Sequence, residues 1–151
     1  MKIIDANSLL VLILGLMKPS LVGTHEKTSI YDEQDFYNLL TAIGNIESLV
    51  VLPNIWTEVD NLLKRFNKGH KELYVEKIIQ TIKGTSEEYL ESSKVEGKFE
   101  FYNLGLTDTL ILDHGKNCEL LITSDSTLSD YAHSFGIKVF DMKKNVTEKL
   151  K

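Results

Sequence analysis

Three runs of this chain are apolar throughout and too short to be helices: Ile3-Ile4, Leu49-Val50-Val51-Leu52 and Leu120-Leu121-Ile122. A fourth, Ile137-Lys138-Val139-Phe140, follows Gly136. A helix of that length cannot offset the cost of its own nucleation. A strand covered on both faces does read as an unbroken apolar run, and such strands belong to parallel sheets. Parallel neighbours need a crossover of a dozen or more residues between them, usually a helix. The intervening segments supply those crossovers. Strands and helices therefore alternate, and the fold expected is α/β: a three-layer α/β/α sandwich with a mostly parallel central sheet of four to five strands.

The helices are read from apolar spacing and stop signals. Asn7 or Ser8 caps a first helix carrying Leu9, Leu10, Leu12, Ile13 and Leu16, and Pro19 and Gly23 end it. A second runs from about Asp32 to Ile43 and stops at Gly44-Asn45. Pro53 closes the second strand, and a third helix follows, with Ile55, Val59, Leu62, Leu63 and Phe66 on one side. The spacing predicts a fourth over Glu72–Ile82, with Leu73, Val75, Ile78, Ile79 and Ile82 inward. Two more start near Thr107 and Ser126. Between Gly84 and Gly97 the chain is polar and acidic, a frayed helix or a mobile lobe. Phe99-Glu100-Phe101-Tyr102 alternates like a short edge strand, or is an extended approach to the next helix. From Lys143 onward a polar, exposed tail is expected. No repeat or linker interrupts the chain, so one domain over 1–151 is expected, with a variable helical and polar insertion around 68–102.

At 151 residues the chain suits one domain with a real core. Its net charge of −5 does not mark a nucleic-acid binder. Acids gathered in a site contribute to that sum, and a bound metal would offset them. Cys118 is the only cysteine, which excludes an internal disulfide and any CxxC zinc motif; it reads as a buried thiol in a reducing compartment. The apolar run Leu9–Met17 is shorter than the roughly 18 residues a membrane span needs, and only Lys2 stands as a basic leader before it. A cytoplasmic protein with no membrane association is expected. His25, His70, His114 and His133 lack zinc-ligand spacing, and no GxxxxGK[ST] or GxGxxG nucleotide loop is present.

Four acids stand where a carboxylate is hard to justify by solvation. Asp5 ends the first strand and Asp125 follows the third run. If those strands are parallel neighbours, both acids lie at the sheet edge where open α/β sheets bind ligands. Glu58 and Asp108 fall near helix starts. Four converging carboxylates repel one another unless a divalent cation lies between them, and a hard cation with oxygen ligands serves phosphodiester hydrolysis. Each acid also has a plainer role: a turn for Asp5, a helix cap for Asp125, a solvated helix face for Glu58, and the helix dipole for Asp108. Periodicity does not choose between Glu58 and Asp60. Asp108 is favoured over Asp113, which points elsewhere with His114. Thr123 shares a strand face with Asp125 and can hold a carboxylate or water in place. Asn7 and Ser8 can contact metal or substrate, or simply cap.

The segments Ile3-Ile4-Asp5-Ala6-Asn7-Ser8, Pro53-Asn54-Ile55-Trp56-Thr57-Glu58-Val59, Gly105-Leu106-Thr107-Asp108-Thr109-Leu110 and Ile122-Thr123-Ser124-Asp125-Ser126, in that order, resemble the PIN-domain nucleases. The trailing Gly136-Ile137-Lys138-Val139 fits as well. The resemblance spans the chain apart from about Lys68 to Tyr102. It implies a cleft at the carboxyl ends of the strands and favours Glu58 over Asp60. It further implies a metal-dependent ribonuclease in which Asp5, Glu58, Asp108 and Asp125 bind one or two Mg²⁺ or Mn²⁺ ions. Many such domains are toxins of toxin–antitoxin pairs, so an antitoxin protein and a second copy of the chain are candidate partners beside the RNA substrate. The basic run Lys64, Arg65 and Lys68 is a candidate backbone contact, and Trp56, Tyr74 and Tyr102 candidate base-stacking residues. The alternative is a PIN-like scaffold that binds RNA or a protein and cleaves nothing. A phosphoryl-transfer receiver domain fits poorly: Asp5 lacks an acidic neighbour, and Asp141 stands where a Lys is needed.

Overall fold

The computed structural model describes residues 1–66 and 69–149. Five strands form one sheet: β1 (Lys2–Ile4), β2 (Leu49–Val51), β3 (Ser86–Glu87), β4 (Leu120–Thr123) and β5 (Val139–Asp141). Every pairing is parallel, in the order β3-β2-β1-β4-β5. Among the described residues the α-helices are α1 (Ala6–Met17), α2 (Glu33–Ile43), α3 (Pro53–Phe66), α4 (Lys71–Gly84), α5 (Phe101–Gly115), α6 (Ser126–Ser134) and α7 (Met142–Lys149). The architecture is the expected three-layer α/β/α, with the sheet wholly parallel.

Crossover handedness explains the layers. From β1 the chain steps to β2 and then β3 on one side, and afterwards returns past β1 to β4 and β5. Right-handed connections then put the helices of the two halves on opposite faces. Accordingly α1 packs with α2, α3 and α4, while α5 packs with α6 and against β1. The central strands carry Ile3, Ile4, Leu49, Val50, Val51, Leu121 and Ile122, all buried. Helix α1 is buried nearly all round, from Leu9 to Gly15, which is why its sequence reads as a continuous apolar run. Among the described residues no helix is long and apolar enough to cross a membrane.

Several expectations are corrected. The α1 cap is Asp5, whose side chain accepts the Ser8 N–H, not Asn7 or Ser8. The acidic stretch after Gly84 contains the edge strand β3 and a 3-10 turn at Ser92–Val95. Phe99 and Glu100 form a turn, not a strand, and Phe101 and Tyr102 are already the start of α5. The tail from Lys143 is helical: α7 packs on α2, with Met142 buried and Val146 against the core. On α4, Val75, Ile79 and Ile82 face outward, while Tyr74, Ile78 and Thr81 are the buried residues.

One close approach fixes how α1 meets α2. A Cβ at Gly15 would overlap the buried Phe36 ring. Helix propensity alone favours Ala over Gly by about 1 kcal/mol. Packing reverses that sign: Gly15→Ala should lose about 1–3 kcal/mol in urea unfolding, and Phe36→Leu in the same chain should recover part of it. A more stable Gly15→Ala protein would show that the helices are not in this contact.

Candidate active-site cleft

The direction of progress through the sheet reverses between β1 and β4, and ligands of open α/β sheets sit at such a switch point. Register Ile4↔Ile122 sets Asp5 beside Thr123. Asp5 follows β1 at once, and Asp125 lies two residues past β4. Both are helix N-caps. Asp5 Oδ1 accepts the Ser8 N–H at 3.0 Å and Asp125 Oδ1 the Leu128 N–H at 2.9 Å. Asp141, ending β5, does the same for Lys144 at 3.1 Å. A helix that starts directly after a strand leaves N–H groups unpaired, and Asp satisfies them while matching the positive end of the helix dipole.

Asp5 is held from a second side. Its Oδ2 accepts the Thr123 hydroxyl at 2.5 Å and the Ser124 N–H at 3.0 Å. Thr123 Oγ1 in turn accepts the Asp125 N–H at 2.9 Å. One hydroxyl thus ties the end of β1 to the turn carrying Asp125. Asp5 is only 5% exposed; burial raises its pKa, against the pull of these hydrogen bonds. The buried Ser8 hydroxyl lies near the same carboxyl, yet has no hydrogen-bond partner among the described residues.

Glu58 and Asp108 reach the cleft from α3 and α5. Gly105 interrupts α5 at φ 77°, so a regular turn begins just before Thr107 and Asp108. Asn54 Nδ2, in the first turn of α3, donates to Thr107 Oγ1 at 2.8 Å and fastens the two helix starts together. Neither Glu58 nor Asp108 accepts a hydrogen bond or forms an ion pair with a described residue. Burial first, then the charges of Asp5, Asp125 and Glu58, push the Asp108 carboxyl up to about 7. Glu58 is also raised, by burial and by Asp5, with Lys27 opposing.

All four acids line one cleft of about 400 Å³, with Ala6, Asn7, Ile55, Leu104, Leu106, Thr107, Ser124 and Lys143. Asp60 is elsewhere, paired with Lys64 at 3.0 Å, and Asp113 pairs with Lys98 at 2.9 Å. Lys64 and Arg65 do not line the cleft, and Lys68 lies outside the described residues. Trp56 and Tyr74 are buried and cannot stack on a ligand, whereas Tyr102 is exposed. Sequence reading missed Lys143, Asn54 and Tyr31. Burial and the charge of Asp5 raise the pKa of the buried Tyr31 phenol. Lys143 had a signal: it sits two residues past a strand end, as Asp125 does. Tyr31 had none, since it comes from an irregular loop.

The donor chemistry suits a hard cation: carboxylate oxygens only, mutually repelling, two of them unbonded. As they stand, no group of three or more His, Cys, Asp or Glu among the described residues is placed to hold a metal ion. No family model matches the chain, and neither a curated protein nor a solved structure matches it.

The Asp108 shift has a consequence for stability. Between pH 4 and 7 the unfolded carboxyl ionises while the folded one, at about 7, keeps its proton. The unfolded state then binds fewer protons, so stability falls as pH rises through that window. In chelator, Asp108→Asn should match the wild type near pH 4 and exceed it at pH 8 by about 1–2 kcal/mol, since one pKa unit is about 1.4 kcal/mol and solvent screens this half-buried group. A less stable variant at pH 8 would mean that the carboxylate makes a stabilising contact in the cleft.

Proposed function

We propose that the chain is a metal-dependent endoribonuclease that hydrolyses RNA phosphodiester bonds. The observation that carries this is the meeting of Asp5, Glu58, Asp108 and Asp125, from four separate elements, in one cleft at the carboxyl edge. Together they would hold Mg²⁺ or Mn²⁺, which supplies the Lewis acid and the activated water for such hydrolysis. Glu58 and Asp108, bound to no described donor, are free to turn toward it. Thr123 fixes the direction of Asp5. Lys143, which lines the cleft, would favour the phosphate oxygens of a substrate. Ile55, Leu104 and Leu106 supply the apolar part of the cleft lining. RNA as substrate, and a role as the toxin of a toxin–antitoxin pair, come from the sequence resemblance.

A second reading keeps the cleft for binding alone. It is favoured by the caps: Asp5 and Asp125 each hold a helix start without any metal. A labelled single-stranded RNA incubated with Mn²⁺, with and without chelator, separates the two. The nuclease reading expects chelator-sensitive cleavage, reduced at least about 100-fold in Asp108→Asn and about 10–100-fold in Thr123→Val. Equal cleavage by wild type and Asp108→Asn would overturn it, and RNA binding without cleavage would favour the scaffold.

A further inference from the structure

The chain between α1 and α2 is a built ridge. Val22, His25, Thr28 and Tyr31, every third residue, are buried, and the residues between them are exposed. A period of three is that of 3-10 turns, and Pro19–Thr24 is such a helix. Beyond it the Thr28 N–H donates to His25 O at 3.1 Å, and the Tyr31 N–H to Thr28 O at 3.0 Å. The buried Thr28 hydroxyl donates to Val22 O at 2.7 Å. Hydrogen bonds as well as packing therefore fix the ridge in place.

His25 ties the ridge to the helix that carries Glu58. The Lys27 N–H donates to His25 Nδ1 at 3.0 Å. His25 Nε2 then carries the ring proton and donates it to Leu62 O of α3 at 3.1 Å. Leu62 lies one turn beyond Glu58 on the same face of α3. One imidazole thus fastens Lys27 near the Glu58 side of the cleft. Lys27 is exposed and forms no ion pair with a described residue, and its charge reaches Glu58. Strand order sets the rest. α3 follows β2, and α7 with Lys143 follows β5, while Asp5 and Asp125 come from β1 and β4 between them. The two lysines therefore flank the acids along the sheet edge.

We propose that Lys27 is a phosphate-binding residue of the cleft. Its ammonium takes one backbone phosphate on the β2 side of the acids, and Lys143 takes another on the β5 side. A single strand then lies across the sheet edge from β2 to β5, with the reacting phosphate between the two lysines. The ligand this fits is a polynucleotide with phosphates on both sides of the reacting one; a mononucleotide reaches only one lysine. The fate of the central phosphate rests on the nuclease reading.

Binding tests Lys27 apart from cleavage. Labelled oligo(U) and oligo(A) RNAs are titrated with the whole chain in Ca²⁺, by fluorescence anisotropy, from about 50 to 300 mM salt. Lys27→Gln, at an exposed position, should lower the slope of log affinity against log salt by about 0.7, one single-strand contact. It should weaken both RNAs alike, about fivefold near 0.1 M salt, because a phosphate contact reads no base. Lys27→Arg should stay within about twofold of the wild type. Lys18→Gln removes the same charge past the far end of α1, about 18 Å from the cleft, and should leave the slope unchanged. In Mn²⁺, Lys27→Gln should raise KM about fivefold at unchanged kcat, whereas Asp108→Asn loses kcat. A wild-type salt slope and KM in Lys27→Gln, or an equal loss in Lys18→Gln, would overturn the proposal and leave the nuclease reading standing. RNA held with the Lys27-dependent slope but never cut would uphold Lys27 and overturn the nuclease reading. A wild type that binds no RNA would overturn both.

Discussion

The parallel pairing of β1 with β4 is the constraint from which the cleft follows. Ile4 lies level with Ile122, so the chain leaves both strands at the same height. Asp5 there meets the Thr123 hydroxyl and the Ser124 N–H. A slip of one residue would turn the strand side chains to the opposite face and break all of these bonds at once. The two strands are far apart in sequence but central in the sheet, with core on both sides. The position of Asp5 relative to Asp125 is therefore set by the core, not by loops.

That rigidity gathers negative charge at one edge. Helix starts compensate in part: Asp5 and Asp125 each cap one and accept an N–H from it. Asp108 and Glu58 gain no such bond. Burial first, and then the charge of neighbouring acids, raises the pKa of both. Glu58 and Asp108 bring to the same cleft two further acids that no described donor bonds. These acids are what supports the cation proposed for the cleft.

Much of this was legible in the sequence, and the exceptions have physical causes. The strands β1, β2 and β4 announce themselves as short buried runs, and the acids follow from their ends. β3 is two exposed residues, Ser86 and Glu87, paired through backbone alone, and side-chain pattern says nothing about such a strand. Helix α7 rests on Met142 and Val146 amid polar residues, too few apolar positions for a period to emerge. Helix α4 misleads in the opposite sense. Periodicity detects apolar faces but not what covers them, so Val75, Ile79 and Ile82 read as core although Tyr74, Ile78 and Thr81 face inward.

These four carboxylates are proposed to form one cation-binding site. Mn²⁺ titrated into isotopically labelled protein tests it most directly, since a paramagnetic ion broadens the amide signals nearest to it. The account predicts that substoichiometric Mn²⁺ broadens the amides of Asp5, Glu58, Asp108 and Asp125 before any others. Broadening that begins in the exposed acidic stretch Glu87–Glu91, or no localised broadening at millimolar Mn²⁺, would contradict it.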